Sequence, residues 1–333
     1  GKKGLNQILC SLLSRGCKGF ENLEFSEYID SHGAELNLET LEDGILISLK
    51  SLDEHFYKLF PLLELIINKP LLLESQLENL KKSTINSLKK DKENPFNIAF
   101  EKWRKLVYVN HPYAYNSSGY EDDISKIMHN DILFEYEKFK KRDKYFITNN
   151  KEINKINFEL TKQETFKDKS CSNYLDINNT NRFVSTHQKL NQIILMIGNQ
   201  TCPQLNYEYL PLKILESHLS YGMSSVLFKL FREKNGLTYD VGVFNPFRKQ
   251  NSPFLIYLSV SNKNALLAFE ILSELWKNIV TNLISEKEIN LAKVKLRSSY
   301  LISNQTLDEI LQRRIQLIGC NLNPNFDVDC LKK

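Results

Sequence analysis

Glycine is scarce in this sequence, 12 in 333 residues against a usual ~7%. A chain so poor in glycine reserves it for positions where the backbone must turn or pack closely. Long apolar runs are missing as well. The longest, around residues 60–67, carries Glu64 and stops at Asn68-Lys69-Pro70, far short of the roughly 18 apolar residues of a helical membrane span. No Cys-x-x-Cys pair occurs among Cys10, Cys17, Cys171, Cys202, Cys320 and Cys330. That excludes zinc-finger spacing, and a chain of this length needs no disulfide framework, so reduced and mostly buried thiols are expected. Neither sign of charge dominates: 44 Lys and Arg stand against 40 Asp and Glu, interleaved along the chain, for a net charge of +4. No electrostatic footprint for nucleic acid results.

What remains, 42% hydrophobic and 25% charged, is the composition of a soluble globular protein. Its length exceeds what one core usually organises, roughly 250–300 residues, so two domains are expected, 1–150 and 186–333, joined by residues 151–185. That connection is rich in Asn, Lys and Thr and lacks periodicity. The opening Gly1-Lys2-Lys3 leads into an amphipathic segment and not an apolar leader core. This favours the cytoplasm, with the periplasm as the alternative if a leader has been removed.

Leu5, Ile8, Leu9, Leu12 and Leu13 recur at helical spacing up to Gly16. A helix over 25–31 ends at His32-Gly33, and strands over 34–38 and 45–49 join through Glu42-Asp43-Gly44. Helices follow over 54–68, 74–92, 96–108 and 124–138, then a strand over 144–148. In the second half a strand over 193–197 precedes a helix with Leu212, Leu215 and Leu219 on one face and another over 224–234. Strands over 239–244 and 254–260 come next, then helices from 265 to 283 and from the capping box Ser285-Glu-Lys-Glu288. The order glycine, hairpin, two helices occurs twice, from Gly33 and from Gly236. Such a long repeat means two copies of an α+β domain, each a mixed, mainly antiparallel sheet packed by helices.

The run Gly222-Met-Ser-Ser-Val-Leu-Phe-Lys-Leu-Phe-Arg232-Glu-Lys-Asn-Gly236-Leu-Thr-Tyr239 resembles the second-domain signature of the insulinase/pitrilysin-like zinc metallopeptidases. Asn110-His111-Pro112-Tyr113 with Gly119 resembles that family's first-domain loop. Residues 33–40 resemble the strand with which these enzymes pair extended substrate, which implies Asn37, Leu38 and Glu39 as substrate-binding positions. The family carries an inverted zinc motif, His-x-x-Glu-His, whose histidines hold Zn²⁺ while the Glu activates water. Matching the flanking glycines puts Gln7, Cys10 and Ser11 at the His, Glu and His positions, and Ser87 at the third-ligand Glu. No His-x-x-x-His pair elsewhere replaces them.

The resemblance therefore implies a chain with no zinc of its own that retains Arg232 and Tyr239. In the family these two reach the substrate, and a guanidinium and a phenol are suited to a carbonyl becoming an oxyanion. Read without the motif, Arg232 is a helix-terminal cation and Tyr239 a strand aromatic. The expectation is a non-catalytic subunit of a heteromeric peptidase, its Zn carried by a partner homologue and its substrate a peptide, with self-association as the other possible pairing. A structural, core-protein-like role, or peptide binding without catalysis, is the alternative. Relative to the family pattern the chain looks trimmed at both ends, which predicts a sheet with an unpaired edge.

Overall fold

The computed structural model describes residues 2–150, 182–186, 192–203 and 209–331, without the side chains of Tyr239, Cys330 and Leu331. The expected connection lies outside the described residues, as does Cys171, except for 182–185, which form neither helix nor strand. The chain divides into two compact units.

The first unit holds residues 2–93, 111–144 and Asn150. Its helix α1 (Leu5–Leu13) buries Ile8, Leu9, Leu12 and Leu13 completely, because these residues recur on one face. Helix α2 (Asn22–Ser31) ends before Gly33, whose φ of 58° turns the chain into β1 (Glu35–Thr40). β1 pairs antiparallel with β2 (Ile45–Lys50), Glu35 opposite Lys50 and Thr40 opposite Ile45. A short 3₁₀ turn leads to α3 (Phe56–Asn68) and α4 (Glu74–Asp91).

After α5 (Pro95–Val107), which packs in the other unit, come α6 (Glu121–Ser125) and α7 (His129–Lys141). The sequence suggests one helix where these two stand. It is broken because the Met128 N–H donates to the Asp131 carboxylate (2.7 Å) and the Lys81 ammonium holds the Ile127 carbonyl (3.1 Å). Both groups are thereby diverted from a continuous helical ladder.

The second unit holds 94–110, 145–149 and the described residues from 182 onward. Strand β3 (Gln192–Gln200) is followed by α8 (Tyr209–Ser220), a π-helix at Phe228–Lys234, β4 (Thr238–Phe244) and β5 (Pro253–Ser261). The antiparallel sheet has the order β3-β5-β4. Helices α9 (Ala265–Thr281), α10 (Glu286–Ile302), α11 (Leu307–Gly319) and α12 (Phe326–Leu331) complete it. The Ser285–Glu288 capping box is present, Glu288 N–H donating to Ser285 Oγ (3.4 Å) and Ser285 N–H to Glu288 Oε2 (3.1 Å). Residues 144–148 form no strand.

The repeated order is plain: β1, β2, a 3₁₀ turn, α3 and α4 recur as β4, β5, a 3₁₀ turn, α9 and α10. Helix α5 departs from sequence order. It lies on the second unit's sheet, where Phe96 meets Tyr257 edge-on (4.9 Å) and Phe100 meets Phe244 (4.9 Å). The fully buried Tyr108 then donates its hydroxyl proton to the Asn251 carbonyl (2.8 Å). Aromatic burial of this size outweighs chain proximity in deciding where a helix packs.

Two features pin the elements that matter below. Gly4, just before α1, and Gly119 both have φ of 87°, and a Cβ on Gly119 would stand 2.5 Å from the Gly4 Cα. The two backbones touch, and only glycine permits it. In the second unit, the Lys213 ammonium contacts Glu216 (2.8 Å) and the Asn245 carbonyl (2.8 Å), while Tyr221 OH donates to Glu216 (3.1 Å). This mostly buried network ties α8 to the exit of β4. Burial acts to lower the Lys213 pKa, but Tyr209 and the hydrogen-bonded Glu216 carboxylate outweigh it and raise it, and burial first of all pushes the Tyr221 hydroxyl up to about 12.

Gly119→Ala is expected to lose roughly 2–4 kcal/mol through backbone strain and overpacking, measured by urea denaturation; a loss within error of zero contradicts the close approach. Glu216→Ala should cost about 3–5 kcal/mol by stranding a buried ammonium. The double variant Lys213→Met/Glu216→Leu should recover much of that loss in the same assay.

Candidate functional site

The first unit places Gln7 and Ser11 one turn apart on the half-exposed face of α1. Ser11 Oγ donates to the Gln7 carbonyl (3.0 Å), so the hydroxyl is engaged with its own helix. Cys10 points inward and is 1% exposed. Burial raises its thiol pKa, an interaction with the Thr40 side chain opposes the rise, and the Glu39 carboxylate adds to it. The end of β1 thus stands over Cys10. Ser87 occupies the exposed side of α4, whose inward face carries Leu77, Leu80, Lys81, Thr84 and Leu88.

Zinc needs three or four imidazole, thiolate or carboxylate donors, deprotonated and convergent. Here the four family positions offer a neutral amide, a buried thiol held protonated, a back-bonded hydroxyl and an exposed hydroxyl. Among the described residues no group of three or more His, Cys, Asp or Glu could hold a metal ion. These residues do not fit the metal.

β1 alternates exposed and half-buried along its length. Leu36 and Leu38 pack on the first unit's core, while Asn37 and Glu39 face solvent, Asn37 Nδ2 donating to Glu35 Oε1 (2.7 Å). Among the described residues β1 pairs with β2 alone, so its other edge presents N–H and C=O groups open to an added strand. Leu38 can serve a peptide through its backbone; its side chain belongs to the core.

The second unit carries Arg232 on the π-helix, exposed, its guanidinium 5.0 Å over the Phe228 ring. Tyr239 falls where the β4–β5 register slips, Thr238 lying opposite Val260 but Asp240 opposite Ser259. The Thr238 side chain holds this bulge, its Oγ1 accepting the Asp240 N–H (3.1 Å). The role expected of the Tyr239 phenol lies outside the described residues. Both motif positions thus sit on irregular backbone. π-helical turns and β-bulges of this sort re-aim side chains and are frequent at functional sites.

Local pattern carries no signal for either irregularity, since 224–234 reads as an ordinary helix. The buried Lys213–Glu216 network also goes unsignalled, although Glu216 and Ser217, between Leu215 and Leu219, interrupt an otherwise apolar face.

Residues 2–119 match the family profile described as insulinase (peptidase family M16), and residues 130–296 match that described as peptidase M16 inactive domain. The chain is 24% identical over 309 residues to an uncharacterized zinc protease of Rickettsia felis (strain ATCC VR-1525 / URRWXCal2), an alignment covering 91% of this chain and 74% of that protein. It is 20% identical over 342 residues to the non-peptidase homolog YmxG of Helicobacter pylori (strain ATCC 700392 / 26695), covering 99% and 78%. The crystal structure of a peptidase M16 inactive domain from Pseudomonas fluorescens superposes with a TM-score of 0.77 at 17% identity, covering 100% of this chain and 81% of that one.

The thiols offer a direct check. Burial pushes Cys17 up to about 11 and also raises Cys10, so neither presents a thiolate near neutrality. Iodoacetamide at about pH 8 should leave both unlabelled in the folded chain and label both in urea, read by peptide mass spectrometry. Rapid labelling of folded Cys10 at that pH contradicts the buried, protonated thiol.

Proposed function

This chain belongs to the insulinase family, peptidase family M16, and we propose that within it the protein is a zinc-less subunit that completes the substrate site of a zinc-bearing homologue. The partner carries the Zn that activates water. This chain contributes the Arg232 guanidinium and the Tyr239 phenol, which donate hydrogen bonds to the peptide carbonyl as negative charge develops on its oxygen. Extended peptide adds to the open edge of β1 alongside Asn37, Leu38 and Glu39.

The observation that carries this reading is selective loss. Four positions for zinc chemistry hold Gln7, Cys10, Ser11 and Ser87, while Arg232 and Tyr239 remain and stand on irregular backbone. The match of the second half to the inactive-domain profile and the non-peptidase name of the H. pylori relative agree with a chain that has no hydrolytic centre of its own.

The test mixes this chain with a zinc-bearing homologue from the same genome and follows cleavage of a quenched fluorescent peptide. Wild type should restore activity that neither chain has alone. Arg232→Ala should lower kcat by about 10²-fold, as for removal of one oxyanion donor, without weakening association of the chains. Equal rates for the two would remove the catalytic contribution and leave the structural, core-protein-like role.

A further inference from the structure

A concave site lies within the second unit, lined by residues of the π-helical segment other than Arg232. It is a cavity of about 630 Å³ between α8, residues 224–234 and α10, within the usual size range of small-molecule sites. Leu230 and Leu291 are among the apolar residues of its wall, and Lys229, Lys234, Lys295 and His218 bring nitrogen donors to it.

Those lysines outnumber the acids beside them and pair directly with none of them. Among the described residues, none of the three ammonium groups makes an ion pair or a side-chain hydrogen bond. Two acids also line the cavity, Glu233 and Glu288. The Glu288 carboxylate is occupied by α10's cap, accepting from Ser285 N–H (3.1 Å) and Ser285 Oγ (2.5 Å). Glu233 forms no ion pair with any of the lysines. Burial chiefly, and then the charge of Lys229, lower the Lys295 pKa; burial chiefly, with Lys295 adding to it and Glu288 opposing, lowers that of His218. Lys229 and Lys295 therefore repel each other across an apolar hollow, an arrangement that a bound anion relieves.

We infer that this cavity binds a small organic anion, a compact apolar body carrying a phosphate-like dianionic head, with Lys229, Lys234 and Lys295 around the head and Leu230 and Leu291 against the body. A purely inorganic anion leaves the leucines wet, and a neutral apolar molecule leaves the lysines unpaired. The combination selects an amphiphilic ligand. This inference does not rest on the proposed peptidase role, since none of its residues takes part in that role.

Phenyl phosphate is the probe, titrated calorimetrically into the full chain at low salt beside inorganic phosphate and benzyl alcohol. Saturable one-to-one binding of phenyl phosphate is expected, tighter than for inorganic phosphate, with none for benzyl alcohol. Lys229→Gln/Lys295→Gln should weaken it by about tenfold or more, whereas Arg297→Gln, a cation elsewhere on α10, should not change it. Circular dichroism verifies that both variants fold. Absence of saturable binding, or equal affinity in the double variant and wild type, overturns the assignment. So does equal binding of phosphate and phenyl phosphate, which reports surface charge alone.

Discussion

Burial of one face of α1 is the constraint on which the first unit depends. Ile8, Leu9, Leu12 and Leu13 are wholly removed from water, and each contributes roughly 1.5–3 kcal/mol relative to exposure. The helix packs on α4, α7 and β1 together, so its apolar face organises most of the unit. Of the four positions matched to zinc chemistry, Gln7 and Ser11 lie on its other face. The fold therefore constrains residue type little at Gln7 and Ser11, whereas losing a leucine opens the core. The Gly4–Gly119 contact belongs to the same constraint, because it sets where α1 begins relative to the loop that follows His111-Pro112-Tyr113.

In the second unit the organising element is β5, the central strand, with Leu255, Ile256 and Leu258 wholly buried. Its ladders to β3 and β4 leave the edges for local variation. The bulge at Tyr239 occurs on the edge strand β4, where a slipped residue disturbs one ladder and not two. The π-helix ends just before β4, and the Leu237 N–H donates to the Phe231 carbonyl (2.8 Å). A widened turn and a bulge thus follow each other within about ten residues and lend this stretch its unusual backbone. The same stretch carries Arg232 and residues of the lysine-lined cavity, whose lining does not include Arg232.

Much of this architecture was legible in residue pattern. The periodicity of Leu5 to Leu13 located α1, the Asp43-Gly44 turn located the β1–β2 hairpin, and the Ser285–Glu288 cap located α10. Each is a local signal, carried by side chains within a few residues of one another. The break between α6 and α7 was not legible, because Lys81, distant in sequence, helps to make it. Helix α11 carries a local signal of the same kind, the Thr306–Glu309 capping box. The strand read over 144–148 failed because alternation alone cannot supply a ladder partner.

The sequence by itself determined that this protein is built from two related α+β halves and that these residues contain no His-x-x-Glu-His motif. It also determined that Arg232 and Tyr239 persist in their motif. Those properties reside in residue identity and spacing along the chain, which need no coordinates to state. Tertiary structure decided the rest. It assigned α5 to the second unit, turned Cys10 into the core beneath β1, gave Arg232 a π-helix to stand on and gathered Lys229, Lys234 and Lys295 around one hollow. Each of these outcomes depends on which surfaces are withdrawn from water and on which charges then find a partner. Burial and pairing are settled between residues far apart in sequence, and local pattern does not record them.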